Sequence, residues 1–270
     1  TPRSMHRRSR AALLLFSRSL TSSAAEPSAL ALAPGWQPKL LDAKKIVFIR
    51  HAEGFHNQDA REISNFFTDN LSQSMDYWDA RLTPTGHEQC AKLQANWPKQ
   101  AGAMELVAIS PLTRTLATAS LVFPANATRP PAVATSLARE RVSIHTCDGR
   151  RPRSELVAEF GEWVDFAEVT SEEDEMWPVK ELEVEQAAPD GKGAVKHSEA
   201  CAARAAELLR WLHARPESSI AVVSHWVFLL HLFRPFDHMF NAKRVQQRFG
   251  NAEARVTTLY RTSAGEKGEL

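Results

Sequence analysis

Three short apolar runs recur along the chain at wide intervals: Ile46-Val47-Phe48-Ile49, Leu106-Val107-Ala108-Ile109 and Ile220-Ala221-Val222-Val223. None alternates with polar residues, so each predicts a strand covered on both faces rather than one with a solvated side. Val256–Tyr260 is a fourth candidate; Thr257 and Thr258 make it less apolar and place it nearer an edge. Helical spacings lie between these runs. Thr83 can cap a helix with Pro84 at its first position, or Thr85 can do so with Glu88 closing a capping box. Leu112–Val122 reads as a helix entered through Pro111, and Glu199–His213 carries Ala203, Ala206, Leu209 and Leu212 at helical spacing. Strands alternating with helices predict an α/β fold: a central, mostly parallel sheet with helices on both faces.

Two regions break this rhythm. From Met5 to Ala25 there is no acidic residue, and Arg7, Arg8, Arg10 and Arg18 interleave with serines and the apolar stretch 11–16. That composition predicts a mitochondrial or plastid transit peptide. A secretory signal is the alternative, opposed by Arg18 and the short apolar run; a basic tail without address function would leave the protein cytoplasmic. Residues 1–40 are accordingly expected to be a disordered targeting segment and linker, with one domain over 41–270. The second region, about 143–196, opens with Arg150, Arg151 and Arg153, turns acidic from Glu168 to Glu175 and lacks a long periodic stretch. It is expected to be a polar insertion over the carboxyl rim of the sheet, too polar to form a core alone.

Composition narrows the classes. The 270 residues are 43% hydrophobic, enough for a sizeable core. Lys+Arg 33 against Asp+Glu 32 gives a net charge of +1, so no basic excess advertises nucleic acid. No apolar run approaches the roughly 20 residues that span a bilayer. Three cysteines (Cys90, Cys147, Cys201) at wide spacings suggest neither a disulfide framework nor a zinc ribbon. His51, Glu53 and His56 miss the HExxH spacing, so no metal site and no cofactor are expected.

The chemistry follows the strands. Arg50-His51-Ala52-Glu53-Gly54-Phe55-His56-Asn57 comes directly after the first run, Ser110-Pro111-Leu112-Thr113-Arg114 after the second, and Ser224-His225 after the third. Ligands of open parallel sheets bind at the carboxyl ends of strands, so two histidines and two arginines converge if these strands are neighbours. Arginine grips phosphate oxygens bidentately and keeps its charge. A neutral imidazole can attack phosphorus to form a phosphohistidine, while the arginines and a protonated second histidine neutralise the transferring group. Water completes hydrolysis without a metal.

RHAEGFHN resembles the RHG signature of the histidine phosphatase superfamily, the phosphoglycerate mutase-like family. Leu82–Gln89 is similar to its LTxxGxxQ helix entry, SPLTRTLAT (Ser110–Thr118) to its SxLxRxxxT segment, Val222–His225 to the strand ending in its second histidine, and Leu137–Glu140 to its acid-bearing segment. Cys147–Arg151 with the acidic stretch 166–177 resembles the plant and fungal branch. The resemblance implies a metal-independent phosphoric monoester hydrolase acting on a small phosphorylated metabolite. It assigns His51 as nucleophile, Arg50 and Arg114 as phosphate clamps, His225 as stabiliser of the transferring group, Asn57 as a phosphate contact and Glu140 as proton donor. Asn57 could instead cap a helix near Asp59, and Glu155 and Glu159 are other acids downstream. His56 and His87 read as surface residues. Arg150 and Arg151 are either a solvated loop or readers of remaining substrate charge. Ala52 replaces the signature glycine, and Trp226 stands where glycine is common, shaping the leaving-group side or displacing His225. A phosphoglycerate-type mutase and a catalytically weak binder of phospho-ligands are the alternatives.

Overall fold

β1 (Ala12–Ser17), β2 (Leu40–Arg50), β3 (Leu106–Ile109), β4 (Ala132–Ala134), β5 (Val164–Asp165), β6 (Ser219–Ser224) and β7 (Ala254–Thr262) pair as one sheet in the order β1-β7-β2-β6-β3-β4-β5. The computed structural model describes residues 12–17, 40–177, 198–234 and 248–262. The pairs β2–β6, β6–β3, β3–β4 and β4–β5 are parallel; β7 is antiparallel to β2 and to β1. The three unbroken apolar runs are the central strands β2, β3 and β6. The fourth candidate lies in β7, second from the edge, where Thr257 is buried but satisfied by donating to Ile46 O at 3.0 Å.

The helices are α1 (Phe55–Glu62), α2 (Pro84–Ala95), α3 (Thr113–Val122), α4 (Arg153–Phe160), α5 (Glu199–Ala214) and α6 (Trp226–Phe233). Because strand side chains alternate, Val47 and Ile49 join the core that includes Cys90 of α2, Leu116 of α3 and Leu156 of α4, while Ile46 and Phe48 join that of α5 and α6. Each buried Leu, Ile or Phe contributes about 1.5–3 kcal/mol on leaving water, which explains why runs apolar on both faces end in the sheet's centre. No helix among the described residues is long and apolar enough to cross a membrane.

Local signals act largely as expected. Thr83 caps α2, its Oγ1 accepting from Gly86 N at 3.0 Å, with Pro84 opening the helix. A Cβ at Gly86 would lie 2.2 Å from Glu53 O, so glycine lets α2 pack onto the segment after β2. Three expectations need correction. In α5 the inward face is Cys201, Ala205, Leu208, Leu209 and Leu212; Ala203 and Ala206 are exposed. The region from 143 is not simply laid over the sheet: through residue 177 it contains α4 and β5, and β5 extends the sheet beside β4, Ala132 aligning with Val164. Residues 178–197 lie outside the described residues. Within the expected targeting segment, Ala12–Ser17 form a strand on β7, Leu14 aligned with Tyr260; the rest of 1–39 also lies outside.

Parallel register sets the site. Arg50 aligns with Ser224, and Ile109 with Val223, so the three strands end level. His51 N donates to Ser224 O at 2.9 Å and Ser110 N to Val223 O at 3.0 Å, fastening the three polar segments into one rim.

Candidate active site

At this rim the side chains surround a cavity of about 670 Å³ lined by Arg50, His51, Asn57, Arg114, Glu140 and Trp226, among others. His225 is fully buried behind it, its ring centroid 5.1 Å from that of His51. The fold thus brings together seven of the nine site residues expected from the sequence.

His51 Nδ1 lies 2.7 Å from Ala52 O. A carbonyl can only accept, so this nitrogen carries the proton and Nε2 of the neutral ring holds a lone pair. Burial, and then the charges of Arg114 and Arg50, push the His51 pKa well below its ordinary value, keeping it unprotonated near neutral pH. Ala52 N donates to Thr118 Oγ1 at 3.0 Å, and Thr118 Oγ1 donates to Arg114 O at 2.7 Å. One threonine thus ties the segment that carries His51 to the helix that carries Arg114.

Arg50 Nη1 donates to Phe249 O at 2.8 Å. Burial, with Arg248 next, lowers its pKa to about 10, still cationic at neutral pH. Arg114 donates through Nη1 to Cys147 O and meets Asp148 Oδ1 through Nη2 at 3.4 Å. Its helix lacks a local side-chain cap; the carboxylate of Asp79 serves instead, accepting from Thr113 N at 2.8 Å and Thr113 Oγ1 at 2.7 Å. Asp79 sits at φ 44, a left-handed conformation tolerated better by Asp than by most residues.

His225 Nε2 is 2.8 Å from Ser110 Oγ, and its Nδ1 is buried without a partner. The nitrogens Arg50 Nε, Arg114 Nε and His56 Nδ1 are likewise buried and unpartnered. Unpartnered arginine Nε atoms also occur away from the rim, at Arg129 and Arg153, so one alone signifies little. Three of the four belong to residues that line the cavity, Arg50, Arg114 and His56, and the fourth to His225 behind it, so the rim keeps polar nitrogens that the fold does not use. Burial first, then Arg114 and His51, hold the His225 pKa well below the ordinary value. In the unliganded site it is a neutral ring.

Glu140 joins α6, whose first turn follows His225. Oε1 accepts from Arg141 N and Phe228 N, both at 2.8 Å, and Oε2 from Val227 N at 3.3 Å. Oε1 is saturated, so Oε2 is the oxygen free to carry a proton. Burial, reinforced by nearby Asp148, pushes the carboxyl pKa up against those donors. Asn57 serves a helix start, that of α1, and also lines the cavity. Its Oδ1 accepts from Gly54 N at 3.2 Å.

Arg150 and Arg151 are not among the residues lining the cavity, which corrects their assignment as substrate readers. Arg150 spends its guanidinium on the carbonyls of Arg151, Ser171, Glu172 and Glu173, at 2.6–3.2 Å. Arg151 donates to Thr113 Oγ1 at 2.8 Å and to Glu159 Oε2 at 2.8 Å. They were neither solvated nor substrate-facing: they staple the acidic stretch and α4 to the rim. His87 is exposed, as expected, but His56 turns into the cavity, its ring 5.8 Å from His51. The signal for it was its place one residue before Asn57. Arg248, whose guanidinium stands 4.5 Å over the Trp226 ring, had no local signal at all.

A family model described as the histidine phosphatase superfamily (branch 1) matches residues 46–267. The chain is 32% identical over 244 residues to phosphoglycerate mutase-like protein 1 of Arabidopsis thaliana, covering 78% of this chain and 79% of that protein. It is also 32% identical over 222 residues to another phosphoglycerate mutase-like protein of the same plant, covering 72% and 74%. Among solved structures, a phosphoserine phosphatase of Entamoeba histolytica in complex with 3-phosphoglyceric acid aligns at a TM-score of 0.43 and 16% identity, covering 79% of this chain and 89% of that one. A mycobacterial glucosyl-3-phosphoglycerate phosphatase with inorganic phosphate aligns at 0.43 and 17%, covering 78% and 87%.

Proposed function

The chain belongs to the histidine phosphatase superfamily, and from that premise we propose that it hydrolyses a small phosphoric monoester through a phosphohistidine at His51. The observation that carries this is the His51 tautomer: Nδ1–H is held by Ala52 O, leaving the Nε2 lone pair at a rim of buried arginines. Nε2 attacks phosphorus as the bond to the ester oxygen breaks. Glu140, protonated at Oε2, gives its proton to that oxygen, and the alcohol departs. Glu140, now a carboxylate, takes a proton from the water that attacks the phosphohistidine; the N–P bond breaks and phosphate leaves. Arg50 and Arg114 meet the charge on the phosphoryl oxygens. His225 donates from Nδ1, and a bound phosphoryl dianion raises its proton affinity. No step requires a metal.

Quenching the wild-type protein during turnover of a radiolabelled monoester should trap an acid-labile, base-stable label that His51→Ala lacks. Tight phosphate binding without label would favour a binding protein. Return of label to an added alcohol or sugar phosphate in preference to water would favour a mutase. For location, we infer from the basic, acid-free stretch 5–25 a mitochondrial or plastid destination. A diffuse cytosolic signal from a C-terminal fluorescent fusion would overturn it.

A further inference from the structure

The cavity extends well beyond what its phosphoryl end uses. Its volume of about 670 Å³ falls in the range of about 300–1,000 Å³ that accommodates drug-sized ligands. Besides its arginines and polar groups, the lining includes Phe66, Phe67 and His145 from the chain between α1 and α4, and Trp226 at the start of α6. Phe66 is buried, its ring 5.1 Å from that of Tyr77, but Phe67 is 59% exposed. This exposure is not that of a loose tip. Thr146 Oγ1 donates to Ser74 O at 2.5 Å, His145 Nδ1 lies 2.8 Å from Ser72 Oγ, and Tyr77 donates to Asp59 Oδ2 at 2.5 Å. The segment carrying Phe67 is braced at three points, with the Phe67 and His145 rings edge to face at 5.3 Å.

Resting on the monoesterase reading above, we propose that the leaving group this site accepts carries an aromatic ring, seated against Phe67 and the Trp226–Arg248 stack. The surfaces available to it each favour a π partner over a merely apolar one. Phe67 and His145 already pack edge to face, an arrangement that a third ring can extend. The guanidinium of Arg248, already stacked on Trp226, is a planar cation suited to a second aromatic face. A short aliphatic tail would leave Phe67 in water.

The test uses three monoesters whose leaving alcohols have similar acidity, so that the chemical step is held nearly constant: ethyl, 2-cyclohexylethyl and 2-phenylethyl phosphate. For the wild-type protein, kcat/KM for the phenyl ester should exceed that for the ethyl ester about tenfold, with the cyclohexyl ester well below the phenyl one. Phe67→Ala should collapse the phenyl-to-ethyl ratio toward one, and Phe67→Tyr should restore it. Equal rates for the phenyl and cyclohexyl esters, a wild-type ratio near one, or a ratio that survives Phe67→Ala would overturn the proposal. Binding of the same esters to His51→Ala protein, measured by calorimetry, reads the ring preference without turnover. A preference there with no wild-type hydrolysis would defeat the monoesterase reading alone; no preference in either assay would defeat the ring.

Discussion

Two groups of buried arginines lie close together in this molecule and behave oppositely. Arg50 and Arg114 stand at the strand-end rim, Arg139 and Arg150 under the acidic stretch that follows it; each is at most 3% exposed. Arg150 gives hydrogen bonds to four carbonyls, and Arg139 grips both oxygens of Asp174 as well as Asp148 O. Arg50 reaches a single carbonyl, and Arg114 one carbonyl and a carboxylate oxygen at 3.4 Å. Burying a guanidinium with donors unspent is unfavourable, so such an arginine persists where something else will meet it. Burial is the same in both groups, and Arg139, like Arg50 and Arg114, leaves its Nε unpartnered; the contrast lies in the Nη donors, of which Arg139 and Arg150 spend more on the fold.

Substitutions can break this contrast. His51→Ala removes the proposed nucleophile and should lower kcat by about 10⁴ or more, as in other knockouts of a covalent catalyst; steady-state hydrolysis with a far-UV spectrum to confirm folding checks it. Arg50→Ala should cost about 10²–10³ in kcat, the usual loss for one transition-state donor, with little loss of thermal stability because Arg50 spends so little of itself on the fold.

Glu140→Gln should lower kcat by about 10²-fold for alkyl esters and far less for an ester with an acidic phenol as leaving group, which departs without a proton. The pH dependence has a definite sign. The Glu140 pKa is raised and its protonated form is the donor, so the wild-type rate falls as pH rises through that pKa; the variant should lose this limb. The pKa of His51 is depressed and its neutral form is the nucleophile, so loss of rate on the acid side begins only well below its ordinary pKa.

Arg150→Ala should behave in the contrary way to Arg50→Ala. Loss of its buried, charged hydrogen bonds should lower unfolding free energy by about 2–3 kcal/mol, read by denaturant titration, while KM for the folded protein barely moves. The smallest effect is expected from EDTA: in the proposed mechanism Arg50, Arg114 and the His225 N–H meet the phosphoryl charge, so the rate should be unchanged. Loss on chelation, restored by a divalent metal, would mean the site works differently.

Much of this was legible in the sequence because a strand-then-polar order is local. Runs such as Ile46–Ile49 are apolar on both faces for one physical reason, and the residues following them must emerge at the rim. What was not legible depends on partners far along the chain. Arg150 and Arg151 read from the sequence either as a solvated loop or as readers of substrate charge, and only the folded chain supplies the carbonyls of 171–173 and the carboxylate of Glu159 that occupy them. Alanine is nearly neutral between core and surface, so the true face of α5 could be mistaken for its neighbour. Helix α6, Trp226–Phe233, is apolar almost all round and offered no periodicity to find. His56 reads as polar and exposed until α1 is placed, which turns its ring toward His51.

The central claim, a covalent intermediate on His51, is tested most directly by the stereochemical course at phosphorus. A monoester made chiral with sulfur and oxygen isotopes would be hydrolysed in isotopically labelled water, and the configuration of the released thiophosphate determined. Attack by His51 and then by water are two in-line displacements, and the account predicts retention. Inversion would mean that water attacks the substrate directly and that His51 is not the nucleophile.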